Sequence, residues 1–209
     1  MNEFYSQYGE EKILSQFFGD KTHGFLVDIG AMDGITYSNS RYLIQSKSWS
    51  GVLVEPHPEY FQNLQKLYNN NANITLLNCG CFNVETELDF HLYSTDTDRS
   101  NGSVSTISKD FKNHIINRHG DEYRETIKIN TVTLNNIIKN HKNIDFLSID
   151  AEGVDMEVLS SNDWTKNRPS LVCVEHSMDI NILMQFMDNI NYVKYTETGG
   201  NTFFIGKSE

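Results

Sequence analysis

The chain has 209 residues, enough for one substantial core and short for two. Apolar residues make up 38% and charged residues 22%, the balance of an ordinary globular protein. Seventeen Lys and Arg against 28 Asp and Glu give a net charge of −11, which argues against a nucleic-acid partner held by its phosphates and against a polybasic membrane anchor.

No apolar run approaches the ~20 residues that span a bilayer. The start, Met1-Asn2-Glu3-Phe4-Tyr5, lacks the features of a secretory signal, so a cytoplasmic location is expected. Cys79, Cys81 and Cys173 are odd in number, and Cys79 and Cys81 stand one residue apart. They suit reduced thiols better than a disulfide framework or a zinc knuckle.

In chain order, Phe25–Gly30 is a short apolar run ending in glycine, and Tyr37–Lys47 follows with helical character. Gly51–Glu55 is a second buried-strand run, closed by Pro56. Pro58–Tyr68 sets Phe61, Leu64, Leu67 and Tyr68 at helical spacing. Ile74–Asn78 is a third strand, Phe82–Tyr93 a weak hairpin candidate, and Ser94–Glu125 a polar stretch expected as an irregular lid or insert. Ile144–Ile149 and Leu171–Glu175 are further strands, and Met178–Met187 a helix. Tyr192–Tyr195 and Thr202–Ile205 close the chain across a Gly199-Gly200-Asn201 turn. The alternation predicts a Rossmann-like α/β domain over residues 1–209, with a mostly parallel seven-stranded sheet and helices on both faces. The last connection is too short for a parallel crossover, so the last strand is expected to be antiparallel.

Ligands of open α/β sheets bind at the carboxyl ends of the strands. The first strand runs into Asp28-Ile29-Gly30-Ala31-Met32-Asp33-Gly34, and the second ends in Glu55. An acidic residue at this distance from a glycine turn can accept both ribose hydroxyls of an adenosine cofactor. The Gly-x-x-x-Gly spacing departs from the dinucleotide pattern, and Asp33 would repel a pyrophosphate. The cationic sulfonium and ammonium of S-adenosylmethionine suit Asp28 and Asp33 better. Asp33 also reads as a helix cap.

Val27–Gly34, Val54-Glu55-Pro56-His57-Pro58 and Asp145–Leu159 resemble, in order, the motifs of the FkbM-type methyltransferases, a branch of the class I S-adenosylmethionine-dependent enzymes. Ser6-Gln7-Tyr8-Gly9-Glu10-Glu11 and Asn201–Ile205 fit the same pattern. The resemblance implies Asp28, Gly30, Ala31 and Asp33 around the methionine end of the cofactor, and Glu55 with Pro56 at the ribose. It implies Cys79 and Gly80 near the adenine and Gln7 on a closing N-terminal segment. It also implies methylation of a small-molecule acceptor, most readily a hydroxyl of a sugar, either nucleotide-linked or a polysaccharide precursor.

Methyl transfer to a hydroxyl needs a group that handles the proton. Asp150, Glu152, Glu175 and His176 stand at the ends of the fourth and fifth strands and are the catalytic candidates. Asp150, Glu175 and His176 could instead hold a divalent metal such as Mg²⁺ that polarises the hydroxyl. Asp155 also opens a helix and fits its dipole. Arg99, His114, Arg118, His119 and Arg124 give the polar stretch cations that could meet an anionic acceptor. An N-methyltransferase, a protein or lipid methyltransferase, an NAD-type oxidoreductase and a non-catalytic cofactor-binding module remain alternatives at this point.

Overall fold

The structure, a computed structural model, describes residues 5–93, 104–119, 123–175 and 179–207. Among the described residues ten strands and seven helices follow one another. They are α1 (Glu10–Phe18), β1 (Phe25–Ile29), α2 (Arg41–Lys47), β2 (Ser50–Val54), α3 (Pro58–Tyr68), β3 (Ile74–Leu77), β4 (Gly80–Cys81) and β5 (Glu87–Tyr93). Then come α4 (Lys109–His119), β6 (Tyr123–Val132), α5 (Leu134–Ile138), β7 (Phe146–Ile149), α6 (Asp155–Ser160), β8 (Leu171–Glu175), α7 (Ile180–Asn189), β9 (Tyr192–Glu197) and β10 (Asn201–Gly206).

Seven strands form one sheet in the order β3-β2-β1-β7-β8-β10-β9. β1, β2, β3, β7 and β8 pair in parallel, while β10 is antiparallel to both β8 and β9. The expected seven-stranded sheet with an antiparallel last strand is therefore present. The chain order reverses between β1 and β7, which places the crevice for a ligand at their carboxyl ends.

Period-two alternation sorts the strand side chains into two layers. Val27, Ile29, Val52, Val54, Leu147 and Ile149 face Leu134, Ile138, Val158, Leu159 and Leu183 from α5, α6 and α7. Leu26, Leu53, Phe146 and Leu171 face Leu14, Leu43, Ile44 and Leu64 from α1, α2 and α3. Burying each such side chain contributes about 1.5–3 kcal/mol. α3 starts as its sequence demands: Pro58 fills the first turn, where no N–H partner exists, and His57 Nδ1 accepts the Glu59 N–H.

Three readings change. The predicted helix at Tyr37 begins at Arg41 instead, because Tyr37 sits at φ 54 and Ser38 Oγ caps the Arg41 N–H at 3.1 Å. Phe82–Tyr93 is no local hairpin: β5 pairs with β6, antiparallel from Glu87↔Asn130 to Tyr93↔Tyr123. β6 also takes β4 in parallel, making a second three-stranded sheet. The polar stretch expected as irregular at 94–125 is regular in part, since residues 109–119 form α4 and β6 begins at Tyr123. Residues 94–103, 120–122 and 176–178 lie outside the described residues, and with them Arg99 and His176. Among the described residues no helix is long and apolar enough to cross a membrane.

Candidate active site

A cleft of about 580 Å³ opens at the carboxyl ends of β1, β2, β7 and β8. Its floor is fixed by backbone hydrogen bonds that tie neighbouring strand ends together. Gly30 and Ala31 N–H both donate to Val54 O at 3.0 Å, and Asp150 N–H donates to Ile29 O at 3.0 Å. Gly30 sits at φ 87 with its Cα pressed against the Asp150 carbonyl, where a Cβ would lie 1.9 Å from the oxygen. Gly30 thus lets the β1 and β7 ends close on each other. The sequence offered ligand approach as its reason; the structure supplies a packing reason.

Glu55 is 5% exposed and lines the cleft. Its Oε2 accepts the Met32 N–H and its Oε1 the His57 N–H, both at 2.7 Å, so it pins the two loops that flank it. Each oxygen keeps a second lone pair for a ligand hydroxyl. Burial pushes Glu55 up to about 7, against the backbone hydrogen bonds and with help from the charges of Asp28 and Asp33. Asp28 is raised by burial to about 6, against hydrogen bonds from Ser40 and Ser148.

The third feature is a carboxylate cluster. One oxygen from each of Asp150, Glu152 and Glu175 lies within 4.8 Å of the others. β7 and β8 are adjacent and parallel, so their ends bring Asp150 and Glu175 together. Glu152 joins them through a turn in which Glu152 has φ 51 and Gly153 φ 87. Asp155 Oδ1 accepts the Ala151 N–H at 2.8 Å and holds that turn. Thr106 Oγ1 donates to the Glu152 carbonyl at 2.6 Å from the other side. A non-glycine residue held at positive φ costs of order 1–3 kcal/mol, a strain concentrated at functional sites. Burial, and then the charge of Glu175 beside them, raise Asp150 and Glu152 well above the carboxylate range. Asp150 Oδ1 is buried without a hydrogen-bond partner among the described residues.

Gln7, Asp28, Gly30, Ala31, Glu55, Pro56, Gly80, Asp150, Glu152 and Glu175 all line the cleft. Asp33 and Cys79 are not among the lining residues. Asp33 is consumed by its own loop, accepting the Ile35 and Thr36 N–H groups at 2.8 and 2.7 Å and the Thr36 hydroxyl at 3.0 Å. Cys79 is half-buried, its thiol pushed by burial up to about 11. Sequence reasoning missed Thr36–Asn39, which line the cleft because α2 starts late. The run Thr36-Tyr37-Ser38-Asn39-Ser40 was the available signal, since such residues favour caps and turns over helix interiors. It also missed the aromatic wall of Tyr60, Phe90 and Phe111.

A seven-stranded sheet of this order with its cleft at the β1/β7 reversal defines a class I methyltransferase fold. A family model described as the methyltransferase FkbM domain matches residues 28–194, and the chain belongs to that family of S-adenosylmethionine-dependent enzymes. Among solved structures it is similar to a methyltransferase FkbM from Methylobacillus flagellatus KT, at 16% identity and TM-score 0.55, over 89% of this chain and 44% of that one. It is also similar to a precorrin-6y C5,15-methyltransferase from Geobacter metallireducens GS-15, at 11% identity and TM-score 0.50, over 96% and 88%. The METTL16 methyltransferase domain matches at 9% identity and TM-score 0.52, over 96% and 67%. At these identities the likenesses show the fold alone. The chain spans less than half the length of the Methylobacillus protein. No curated protein matches it.

The residues present fit S-adenosylmethionine. The cleft has room, its acids suit a cation, and the Glu55 oxygens keep lone pairs for ribose hydroxyls. The same burial predicts a pH dependence. Folded Asp28 and Glu55 keep protons that the unfolded chain loses near pH 4, so their contribution is present at low pH and lost as pH rises through about 6 and 7. The thermal midpoint of the ligand-free protein is expected to fall from about pH 6 to about pH 8, and Glu55→Gln to flatten that slope. A midpoint that rises over this range would contradict the assignment.

Proposed function

We propose that residues 1–209 act as one methyltransferase domain that methylates an oxygen of a sugar or related small hydroxylated metabolite. The observation that carries this reading is the Asp150–Glu152–Glu175 cluster on the cleft floor. S-adenosylmethionine, when bound, supplies an electrophilic methyl group on a cationic sulfonium. Glu55 takes the ribose hydroxyls, and Asp28 with the Gly30–Ala31 backbone faces the methionine end. Asp150 accepts a hydrogen bond from the acceptor hydroxyl and takes its proton as the new bond to oxygen forms. Burial first, and then the charges of Glu175, Asp155 and Asp28, raise the proton affinity of Asp150 for that task. A base of raised proton affinity is what a hydroxyl acceptor requires, whereas a neutral amine already carries a free lone pair.

The three-oxygen spacing favours one further reading, a divalent cation such as Mg²⁺ held by Asp150, Glu152 and Glu175. Carboxylate oxygens are the ligands such hard cations prefer. The test is a screen of hydroxylated sugars and nucleotide sugars with labelled S-adenosylmethionine, run with and without EDTA. Label recovered as an O-methyl ether supports the proposal, and label on nitrogen alone would overturn it. Full activity in EDTA removes the cation and leaves Asp150 as base. Loss of activity in EDTA, restored by Mg²⁺, assigns the cluster to the metal.

A further inference from the structure

The acidic cleft has one cationic edge. α4 turns Phe111, His114, Ile115 and Arg118 toward the cleft, the i, i+3, i+4, i+7 stripe of a single helix face. Of the other acidic or basic lining residues, Asp28, Glu55, Asp150, Glu152 and Glu175 are carboxylates, and His57 is buried with its Nδ1 accepting the Glu59 N–H. Arg118 and His114 are exposed, and among the described residues neither enters an ion pair or a side-chain hydrogen bond. Surface arginines of an acidic protein readily find carboxylates, so a guanidinium left open at a cleft is informative.

The position of α4 is fixed relative to the carboxylates. Phe111 packs on the Glu152–Gly153 turn so closely that a Cβ at Gly153 would lie 2.6 Å from the Phe111 Cβ. Ser108 Oγ accepts the Phe111 N–H at 3.1 Å and caps the start of the helix. Arg118 stands seven residues, about 10 Å of helix rise, beyond that contact. One end of the stripe therefore abuts the carboxylate turn and the other presents a guanidinium, with Phe111 and Ile115 as apolar surface between.

We propose that His114 and Arg118 form an anion subsite for the acceptor, and that the acceptor is a phosphorylated sugar bound with its phosphate at Arg118 and its reacting hydroxyl at Asp150. This deepens the methyltransferase reading and rests on it. A guanidinium offers parallel N–H donors matched to phosphate oxygens. The carboxylate floor repels the same phosphate, so the charges at the two ends allow one orientation and reject its reverse.

The test is binding, read by calorimetry on the full chain saturated with S-adenosylhomocysteine. The probes are inorganic pyrophosphate, N-acetylglucosamine 1-phosphate, UDP-N-acetylglucosamine and uncharged N-acetylglucosamine. The phosphorylated sugars are expected to bind at least tenfold more tightly than the uncharged sugar. Arg118→Gln should cost that factor, Arg118→Lys should restore part of it, and His114→Gln should cost less. N-acetylglucosamine 1-phosphate binding as well as the nucleotide sugar assigns the site to a sugar phosphate. UDP-N-acetylglucosamine binding alone assigns it to a nucleotide-linked one. Equal affinities in wild type and Arg118→Gln, or binding of the uncharged sugar alone, would overturn the subsite. S-adenosylhomocysteine titrated by itself reports separately on the methyltransferase reading. Its failure beside Arg118-dependent pyrophosphate binding overturns that reading and keeps the anion site.

Discussion

Gly30→Ala is expected to destabilise the protein by at least about 3 kcal/mol, the largest stability effect of any substitution at the site. Two costs add. At φ 87 an alanine pays for a left-handed backbone that glycine adopts freely. Its Cβ would also lie 1.9 Å from the Asp150 carbonyl oxygen, a backbone atom that no rotamer change can move. β1 and β7 are paired from Leu26↔Phe146 to Ile149, so relief requires prising apart the centre of the sheet. For a chain of this size the thermal midpoint should fall by roughly 6–12 °C. Urea unfolding checks the free energy directly. A variant within about 0.5 kcal/mol of wild type would mean that the two strand ends do not meet as described.

Asp150→Asn is expected to separate function from stability. Removing the proton acceptor should lower turnover by about 10²- to 10⁴-fold, the usual worth of a general base. S-adenosylhomocysteine affinity should change far less, since Glu55 and the Gly30 turn are untouched. Stability above neutral pH should hold or rise. Asp150 and Glu152 are raised by burial and by the charge of Glu175, and Glu152 also by that of Asp150, so the folded state is penalised as pH climbs and these groups ionise. Replacing one carboxylate with a neutral amide relieves that repulsion. Such a trade of stability for activity marks a functional cluster. Unchanged turnover would sink the catalytic assignment of Asp150. A large stability loss would recast the cluster as structural.

Much of this was legible in the sequence because the central strands are buried on both faces. Phe25–Ile29, Phe146–Ile149 and Leu171–Glu175 read as short, mainly apolar runs, and so the sheet and its switch point followed from their order. α3 announced itself through Pro58 and the spacing of Leu64 and Tyr68. The β5–α4–β6 unit did not. Its strand β6 exposes Glu125, Thr126, Lys128 and Asn130 and is two-sided only in part. Its helix carries a cleft-facing stripe that is half polar, with His114 and Arg118, so no apolar period emerged. At the site, strand termini revealed Glu55, Asp150 and Glu175 because position alone decides them. Asp33 has the same charge and a similar loop position, but three donors within its own turn claim it. Only coordinates distinguish an acid spent on its loop from one left facing a cleft.

The central claim is that this cleft holds S-adenosylmethionine with Glu55 at its ribose. Calorimetric titration of S-adenosylhomocysteine into wild type and Glu55→Ala tests it most directly. Wild type should bind one equivalent at micromolar affinity and give no heat with NADH. Glu55→Ala should weaken binding by at least about 10-fold, the worth of a charge-assisted hydrogen bond. No binding to wild type, or equal binding to Glu55→Ala, would contradict it.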